Sequence, residues 1–381
     1  MLADFLDNKP LYYDKIDYTR MPRVYKRIKN ALRIPKIIHL VGTNGKGTTG
    51  RFLACALHSL GYNTGHYTSP HILDFNERIW LNGSNVHNNI LNKAHKQLLL
   101  LLTSQEAEAL SYFEYTTLLA IFLYQECDYI ILEAGLGGEY DATAVFDNIL
   151  TLVTPIDFDH EAFLGSDIKS IASTKLNAVK TKAILGKQVH NEVYDIAQNI
   201  AKQKSLSIYN YDSYLDYQDS AKSVKIAKNN NLPCYLEDNL RLSIAALKIL
   251  GLAYDVEDFN EAKLFGRLSH LSQNILIDVG HNTLAARSIY NALKENKYIL
   301  VYNSYKDKNY KEILTILQPI ISHVELIHVE DDRIEETGKL VQVLEDLNVK
   351  HKKFETINEK ENYLVFGSFS VVEAFLKGYR E

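Results

Sequence analysis

The chain has 381 residues, enough for two or three domains, and its 46% hydrophobic content supports full-sized cores. A net charge of -5 argues against a nucleic-acid partner. The three cysteines are far apart and form no C-x-x-C pair, which indicates a reducing compartment. The sequence shows neither the pattern of a signal peptide nor an apolar stretch of membrane-spanning length, so no membrane partner is expected. We therefore expect a cytoplasmic enzyme of the α/β class.

The first informative stretch is a glycine-rich turn between a predicted strand at 35–41 and a predicted helix at 51–60. Backbone N–H groups of such a turn close around a polyphosphate, and the helix N-terminus adds partial positive charge. Lys46 would then reach the β and γ phosphates, and a threonine hydroxyl would touch a phosphate or Mg²⁺. The residues of this predicted phosphate loop are Gly42, Thr43, Asn44, Gly45, Lys46, Gly47, Thr48 and Thr49.

The spacing of this loop departs from the general pattern G-x-x-x-x-G-K-[ST]. Only Thr43 and Asn44 separate the first glycine from the Gly-Lys pair, and an extra glycine follows the lysine. The alternative interpretation is a glycine-rich turn with a solvent-exposed lysine. Strand, glycines, lysine and threonine nevertheless occur together in the right order, which favours phosphate binding.

Polar residues follow the next predicted strands as well. Residues 63–67 predict a strand whose carboxyl end leads into Thr68-Ser69-Pro70, and residues 87–102 and 105–126 are helical by periodicity. The apolar run 129–133 ends in Glu133 and is followed by Ala-Gly-Leu-Gly-Gly. An acid at the end of an apolar strand, downstream of a phosphate loop, is the arrangement that holds Mg²⁺ in nucleotide-binding domains.

The middle of the chain continues the α/β pattern. A strand at 149–154 precedes His160, which is a metal ligand or a helix-capping core histidine, and its place after a strand favours a ligand. A lysine-rich helix is predicted at 166–182, followed by a mixed pattern up to 235. Further helices are predicted at 239–250 and 257–265.

A second α/β domain begins near Gly266. Its predicted strands lie at 274–279, about 298–303, 323–329 and 362–367, with a helix at 283–294 after the first. It has no phosphate loop of its own, although Gly280-His281-Asn282 again follows a strand. We therefore predict two domains, 1–265 and 266–381, with a cleft between their facing loops.

The motifs occur in the order typical of one enzyme family, and the chain resembles the folylpolyglutamate synthase/dihydrofolate synthase family of the Mur ligase superfamily. The resemblance covers about residues 15–375. The motifs that carry it are Gly42–Thr48, Thr68–His71, Tyr112–Tyr115, Glu133–Gly138 with Asp141–Thr143, Asp159–His160, Gly266–Arg267 and Asp278–Asn282.

This resemblance implies a fold and an activity. The fold is an N-terminal P-loop NTPase-like ATP-binding domain plus a smaller C-terminal Rossmann-like α/β domain that carries the glutamate ligase function. The activity is ATP-dependent ligation of L-glutamate to dihydropteroate, to the glutamyl tail of a tetrahydrofolate, or to both, through an acyl phosphate. The implied cofactors are ATP, two Mg²⁺ ions and optionally a monovalent cation, and a monomer is expected.

The resemblance also implies roles for individual residues. Lys46 and the loop amides would hold ATP, and His281 would assist glutamate binding or phosphate transfer. The implied Mg²⁺ ligands are Ser69, Glu133 and His160. The implied nucleotide contacts outside the loop are Asn239, Arg267 and Asp278. The implied pterin contacts are Asp17, Phe113, Glu114 and Tyr115.

Lys175 matches a family lysine that is carbamylated and binds the second Mg²⁺. Carbamylation converts a cation-repelling amine into a carboxylate-like ligand. The neighbours of Lys175 depart from the family pattern E-K-A-G-I, because here the sequence is Thr-Lys-Leu-Asn-Ala. The alternative interpretation is a surface lysine on a helix that contains several.

Two alternative functions remain at this point. A Mur-type ligase of cell-wall precursors would carry an extra N-terminal domain, for which the 41 residues before Gly42 leave no room. An ATP-binding regulatory protein with decayed catalysis would explain the altered neighbours of Lys175. The residues that argue against this second alternative are the retained Lys46, Ser69, Glu133, His160 and His281.

Overall fold

A computed structural model describes residues 1–9, 17–260 and 262–380 of the chain. The described residues divide into two compact units. The first unit comprises Met1–Leu232 and Leu236–Lys263, and the second comprises Pro233–Tyr235 and the residues from Leu264 onward. Each unit is a β-sheet with helices packed on it, so the α/β fold class is confirmed.

The first unit is built on a sheet in the order β4-β3-β2-β5-β1-β6-β7-β8. Strands β2, β5, β1, β6, β7 and β8 run parallel, and β3 and β4 form an antiparallel edge. The strands are β1 Lys36–Val41, β2 Thr64–Tyr67, β3 Ile79–Leu81, β4 Ser84–Asn85, β5 Tyr129–Glu133, β6 Leu150–Val153, β7 Lys182–Leu185 and β8 Ser207–Asn210.

Eleven α-helices are described in the first unit, together with several single 3-10 turns. The helices are α1 Leu2–Asp7, α2 Arg20–Ile28, α3 Lys46–Ser59, α4 Asn88–Leu101, α5 Ser104–Ala109, α6 Tyr112–Leu123, α7 Glu161–Leu164, α8 Ile168–Leu176, α9 Glu192–Lys204, α10 Tyr217–Asn229 and α11 Glu237–Ile249. The 3-10 turns are Lys29–Ala31, Phe75–Arg78, Ala142–Val145, Tyr211–Tyr214 and Val256–Phe259, and a further turn, Cys234–Leu236, spans the boundary between the units.

Strand β1 lies in the middle of the parallel strands, between β5 and β6. Its residues 37–41 are all buried, as expected for a parallel strand covered on both faces. Because parallel strands present their carboxyl ends at one edge of the sheet, the residues that follow β1, β5 and β6 come together there. This edge positions the candidate site.

The second unit has a sheet in the order β13-β12-β11-β14-β10-β9, in which β9 alone among the described strands is antiparallel to its neighbour. Its strands are β9 Ser269–Ser272, β10 Ile275–Asp278, β11 Tyr298–Tyr302, β12 Ile321–Leu326, β13 His351–Lys353 and β14 Tyr363–Phe366. Its helices are α12 Thr283–Leu293, α13 Tyr310–Leu317, α14 Thr337–Asp346 and α15 Phe369–Arg380, and a 3-10 turn spans Gln318–Ile320.

Several predicted elements differ from those of the structure. The helix predicted at 51–60 begins at Lys46, so the phosphate-loop lysine opens the helix. The helix predicted at 166–182 ends at Leu176, because the chain turns back to enter the sheet as β7. Where a helix was predicted at 257–265, the structure has the 3-10 turn Val256–Phe259, and Asn260 after it has a non-helical ψ of 139°. Residue 261 of this prediction lies outside the described residues.

Two other features follow from composition. Cys55, Cys127 and Cys234 are free thiols. No helix among residues 1–9, 17–260 and 262–380 has the length and apolar character needed to cross a membrane.

Candidate functional site

The glycine-rich turn after β1 is held in a backbone conformation that only glycines adopt readily. Gly42 has a φ of +144° and Gly45 a φ of +88°. A Cβ on Gly45 would lie 2.5 Å from Oδ1 of Asn239, which comes from the first turn of α11. The predicted nucleotide contact Asn239 is therefore packed directly on the phosphate loop.

The loop that follows β6 supports the first half of the turn. The backbone N–H groups of Thr43 and Asn44 donate to the Pro155 carbonyl, at 2.8 and 3.4 Å. The Thr43 hydroxyl donates to the Asp157 carbonyl at 2.9 Å and accepts from the Asp157 N–H at 3.1 Å. Thr43 thus fixes the turn to the neighbouring strand end, and its side chain is a structural anchor of the loop.

The N-terminal end of α3 is open to an anion. Its N-cap, Gly45, has no side chain to cap the first turn. The hydroxyls of Thr48 and Thr49 are buried and have no hydrogen-bond partner among the residues that the structure describes. Uncapped N–H groups and unsatisfied hydroxyls at one helix end are the features that bind phosphate.

Lys46 supplies the positive charge at this end. Its Nζ donates to the carbonyls of Gly42 and Thr43, at 3.2 and 3.1 Å, and lies 4.0 Å from Oε1 of Glu133. The lysine is folded back over the turn, where a phosphate on the turn would meet it. Gly47 is buried in the same first turn.

Glu133 ends β5 beside Lys46, and the residues after β2 orient its carboxylate. Oε2 of Glu133 accepts from the Thr68 hydroxyl and, at 3.2 Å, from the Ser69 N–H. Oε1 faces Lys46. Two of the predicted Mg²⁺ ligands, Ser69 and Glu133, therefore lie together next to the phosphate loop.

His160 follows β6 and is the N-cap of α7, with a left-handed φ of +52°. Its Nε2 lies 3.8 Å from Oδ2 of Asp159. Within residues 1–9, 17–260 and 262–380, no group of three or more His, Cys, Asp or Glu side chains forms a ready metal cluster. Among the predicted Mg²⁺ ligands, only Glu133 and His160 are His, Cys, Asp or Glu residues. The remaining ligands would be the Ser69 hydroxyl, a modified Lys175, water or phosphate oxygens.

Lys175 is buried, in contrast to the surface lysine of the alternative interpretation. Its side chain is 3% exposed, and its Nζ donates to the Gly42 carbonyl at 2.9 Å. Burial, and next the positive charge of Lys46, lower the pKa of Lys175 to about 7, although Asp159 and Asp141 act in the opposite direction. An amine with such a pKa is partly neutral at physiological pH.

The glycine-rich segment after β5 contacts Lys175 on one side and Phe113, one of the predicted pterin contacts, on the other. A Cβ on Gly138 would lie 2.9 Å from the Lys175 backbone, and one on Gly135 would lie 2.7 Å from the Phe113 ring. Asp141 holds this segment in place, because its carboxylate accepts from the N–H groups of Gly135 and Leu136, each at 3.0 Å.

The other predicted pterin contacts lie in different surroundings. Tyr115 is fully buried, and its hydroxyl contacts Nδ1 of His95 at 2.6 Å. Glu114 is buried, accepting from Nε of Arg20 at 2.6 Å and from the Ser111 N–H at 2.8 Å. Asp17 is exposed and accepts from the Thr19 N–H and hydroxyl just before α2. Of this set, Phe113 is the residue whose ring the structure places on the glycine-rich segment.

Three predicted site residues belong to the second unit. Asp278 ends β10 and is buried; its carboxylate accepts from the Tyr235 hydroxyl at 2.7 Å, the Leu268 N–H at 2.9 Å and the Gly280 N–H at 2.7 Å. Burial raises the pKa of Asp278, and Arg267 opposes that effect.

Arg267 and His281 flank this carboxylate in sequence. The Arg267 guanidinium lies over the Phe369 ring, 5.4 Å from its centroid, and donates to the Gly266 carbonyl. Nδ1 of His281 lies 3.2 Å from the Val279 carbonyl.

Residue-based reasoning missed several contributors to the site. Thr68 orients Glu133, and its position at the carboxyl end of β2 was the available signal. Asp157 carries the backbone groups that hold Thr43, and Gln188 and His190 reach the same loop from β7. No sequence motif marks these last two residues, because their roles depend on two loops meeting in space.

Comparisons with known proteins agree on one type of enzyme. No protein-family model matches the chain. It is 30% identical to the "Dihydrofolate synthase/folylpolyglutamate synthase" of Escherichia coli, over 89% of this chain and 85% of that protein. Among solved structures, it is 39% identical to Helicobacter pylori folylpolyglutamate synthetase, with a TM-score of 0.81 over 100% of this chain and 98% of that one. It is 26% identical to E. coli FolC in complex with DHPP and ADP, with a TM-score of 0.84 over 100% of this chain and 97% of that one.

Proposed function

The chain belongs to the dihydrofolate synthase/folylpolyglutamate synthase family, and we propose that it joins L-glutamate to dihydropteroate and to the glutamyl tail of reduced folates. It is an ATP-dependent ligase that uses ATP and a divalent cation. The observation that carries the proposal is the open end of α3, where no side chain caps the helix. Lys46 lies at this end, together with two threonine hydroxyls that have no partner among the described residues. Because a helix N-terminus attracts anions, this arrangement suits the phosphates of a nucleoside triphosphate better than any neutral ligand.

The reaction follows from the charges that must be handled. The substrate carboxylate attacks the γ-phosphorus of ATP, giving an acyl phosphate and ADP. The glutamate amine then attacks the acyl carbon, an amide bond forms, and inorganic phosphate leaves with the proton balance completed by solvent. Lys46 and the N–H groups of α3 would hold the phosphate oxygens as charge moves between them.

The divalent cation would neutralise phosphate charge beside Lys46. We propose Ser69, Glu133 and His160 as its ligands, because Glu133 is oriented by the residues after β2 and faces Lys46. The hydroxyl and carboxylate oxygens are the ligand types that Mg²⁺ and Mn²⁺ prefer, and the His160 imidazole would add one nitrogen ligand to them.

Lys175 is proposed to carry a carbamate that binds a second cation. Its neutral amine would add to CO₂, and loss of one proton would leave a carboxylate-like group with a negative charge. The lowered pKa of about 7 makes the nucleophilic amine available near neutral pH. Mass spectrometry under a CO₂ atmosphere would show that wild type gains about 44 Da, the mass of one CO₂. Lys175→Ala would show no such gain.

We propose that the pterin substrate lies against the segment after β5, with Asp17 and Phe113 among its contacts. Two exposed rings support an aromatic ligand here. Tyr18, next to Asp17, and Tyr140, next to Asp141, have centroids 4.9 Å apart, and the two residues are 49% and 59% exposed. Exposed paired rings close to a glycine-rich segment suit a planar heteroaromatic group. Glu114 and Tyr115 would then act from beneath, by holding α6 in place.

In the second unit, Arg267 and Asp278 are proposed nucleotide contacts and His281 a proposed glutamate or phosphate contact. Each is at or near the carboxyl end of β10, the edge where open α/β sheets bind ligands. On this proposal, residues 1–265 bind the phosphates of ATP and the pterin, and residues 266–381 contribute further nucleotide contacts and glutamate ligation. We further propose that the chain acts as a cytoplasmic monomer.

The deciding experiment measures phosphate release from ATP with Mg²⁺ and L-glutamate, offering dihydropteroate and tetrahydrofolate in separate reactions. Release with both would establish a bifunctional ligase, and release with one would assign the activity. Absence of release with both, in protein shown to be folded by circular dichroism, would contradict the proposal and favour an ATP-binding regulatory role.

A further inference from the structure

Two loops that no motif marks brace the phosphate loop from one side. The first, here called the support loop, is Thr154–Asp157 after β6. The second, here called the brace loop, is Gly186–His190 after β7. Strands β6 and β7 are neighbours in the sheet, so both loops leave the same edge. Their contacts connect the brace loop to Thr43 through the support loop.

The first link is the side chain of Gln188. It is buried, and its Oε1 accepts from the Ile156 N–H at 3.0 Å. Its Nε2 donates to the Gly186 carbonyl at 2.8 Å and to the Thr154 carbonyl at 3.4 Å. One amide group therefore ties both loops together and uses its donor and acceptor sides to do so.

The second link is His190. Its Nε2 lies 2.8 Å from Oδ1 of Asp157, and the ring nitrogen is the donor because a carboxylate only accepts. The Phe158 ring packs edge-on against the imidazole, with centroids 5.8 Å apart. The contact fixes Asp157 at the point where its backbone meets the phosphate loop.

The third link joins the support loop to the phosphate loop. The N–H and carbonyl of Asp157 both bond the Thr43 hydroxyl, and the Pro155 carbonyl accepts from the Thr43 N–H. A displacement of Asp157 would therefore move Thr43 and the turn that starts at Gly42. Preorganised N–H groups bind phosphate better than mobile ones, because less freedom is lost on binding.

We propose that His190 and Gln188 are positioning residues for the phosphate loop, which set the affinity for ATP without touching it. This inference rests on the proposed nucleotide-binding function. His190 suits a test because its side chain is 31% exposed, so its removal leaves no large cavity in the core.

The test compares three variants of the full chain with wild type. His190→Ala removes the bond to Asp157, and His190→Gln keeps a donor at a similar distance from the backbone. Val189→Ala is the control, since Val189 is exposed in the same loop. The probe is a fluorescent, non-hydrolysable ATP analogue with Mg²⁺ and no folate, followed by steady-state kinetics and thermal melting.

We expect His190→Ala to weaken binding of the analogue about fivefold to tenfold, as expected for losing one charge-assisted hydrogen bond. KM for ATP should rise similarly, while kcat and KM for glutamate stay within about twofold of wild type. His190→Gln should recover most of the affinity, and Val189→Ala should match wild type.

Two results would overturn the inference in distinguishable ways. If His190→Ala melts earlier but binds the analogue as tightly as wild type, the residue only stabilises the fold and the inference is wrong. If wild type itself binds no analogue, the proposed nucleotide-binding function fails and this inference fails with it.

Discussion

Two strand-to-helix turns of this protein have similar positions but opposite chemistry at the helix end. In the first unit, β1 leads to α3, whose N-cap Gly45 has no side chain to cap the helix. In the second unit, β10 leads to α12, whose N-cap Asn282 accepts from the Ala285 N–H at 2.9 Å. One helix end is left open for an anion, and the other is satisfied by its own chain.

The difference shows that position in an α/β sheet does not by itself make a phosphate site. Both turns follow a parallel strand at its carboxyl end. Of the two, only the first combines a helix end without a side-chain cap, hydroxyls without a partner among the described residues, and a nearby lysine. The second turn instead organises the buried Asp278 carboxylate, through the Gly280 N–H. Its residues therefore suit contacts to a ligand better than a cradle for polyphosphate.

The largest effect is expected from removing the charge at the open helix end. Lys46→Met should lower kcat/KM for the ligase reaction about a thousandfold, since the charge that stabilises the moving phosphoryl group is lost. Phosphate release is the measurement. Lys294→Met, at an exposed lysine after α12, is the matched control and should be as active as wild type. Activity of Lys46→Met near that of wild type would remove the distinction between the two turns.

A smaller but still large effect is expected from Gly45→Ala. The new Cβ would lie 2.5 Å from Oδ1 of Asn239 in a left-handed backbone, so the turn must shift and ATP affinity should fall about a hundredfold. Gly61→Ala is a close control, because Gly61 has a φ of +89° and no atom within 4 Å of the added Cβ. Equal ATP affinities of the two variants, by titration calorimetry, would show that the contact with Asn239 is unimportant.

The stability of the first unit is expected to fall at acidic pH because of a buried histidine in β1, the strand before the phosphate loop. Burial, and next the positive charge of Lys180, lower the pKa of His39 to about 3, and its Nε2 contacts the Thr143 hydroxyl at 2.8 Å. Between this value and the ordinary pKa of about 6.5, the unfolded chain binds a proton that the folded chain does not. The free energy of unfolding should therefore fall by up to about 1.4 kcal/mol per pH unit below pH 6.5 from this residue.

Urea unfolding from about pH 7 to pH 4.5, chosen around that ordinary pKa, tests this sign. Trp80 is the one tryptophan of the sequence and lies in β3, so its fluorescence reports on the first unit. His39→Gln should give a shallower dependence of stability on pH than wild type. If the stability of His39→Gln depends on pH as steeply as that of wild type, His39 is not the source of the acid sensitivity.

The capped helix end predicts a modest and local effect. Asn282→Ala removes the acceptor for the Ala285 N–H and should cost about 1 kcal/mol at the start of α12. Amide hydrogen exchange in the first turn of α12 should then accelerate about fivefold. The unfolding midpoint followed by Trp80 fluorescence should stay unchanged. If amide exchange in α12 is also unchanged, the Asn282 cap does not stabilise the helix.

The smallest effect is expected at the exposed aromatic pair. Tyr140→Ala should raise KM for dihydropteroate about threefold to fivefold, by loss of stacking worth about 1 kcal/mol, and Tyr140→Phe should behave as wild type. KM for ATP serves as the internal control, since it reports on the open helix end. A rise in both KM values would point to a general disturbance of the segment after β5.

Much of the architecture could be predicted from local pattern. The apolar runs of the sequence predict β1, β5 and β10 within one residue of their observed ends, because strands buried on both faces are continuous apolar segments. The sequence does not predict strands β9 and β13, because short polar edge strands have no such signal. It also does not predict the ends of α8, because the lysine-rich continuation of this helix is equally compatible with a helix or a loop.

The sequence by itself determined the fold class, the family and the order of the motifs, because buried strands and glycine-rich turns can be recognised from a few consecutive residues. Tertiary structure alone decided that Lys175 is buried on the Gly42 carbonyl, that Thr68 orients Glu133, and that the Thr48 and Thr49 hydroxyls have no partner in the part of the chain that the structure describes. It also brought His190 to Asp157 across two loops. Burial and hydrogen bonding between distant segments depend on how strands pair, and that pairing is a property of the whole sheet.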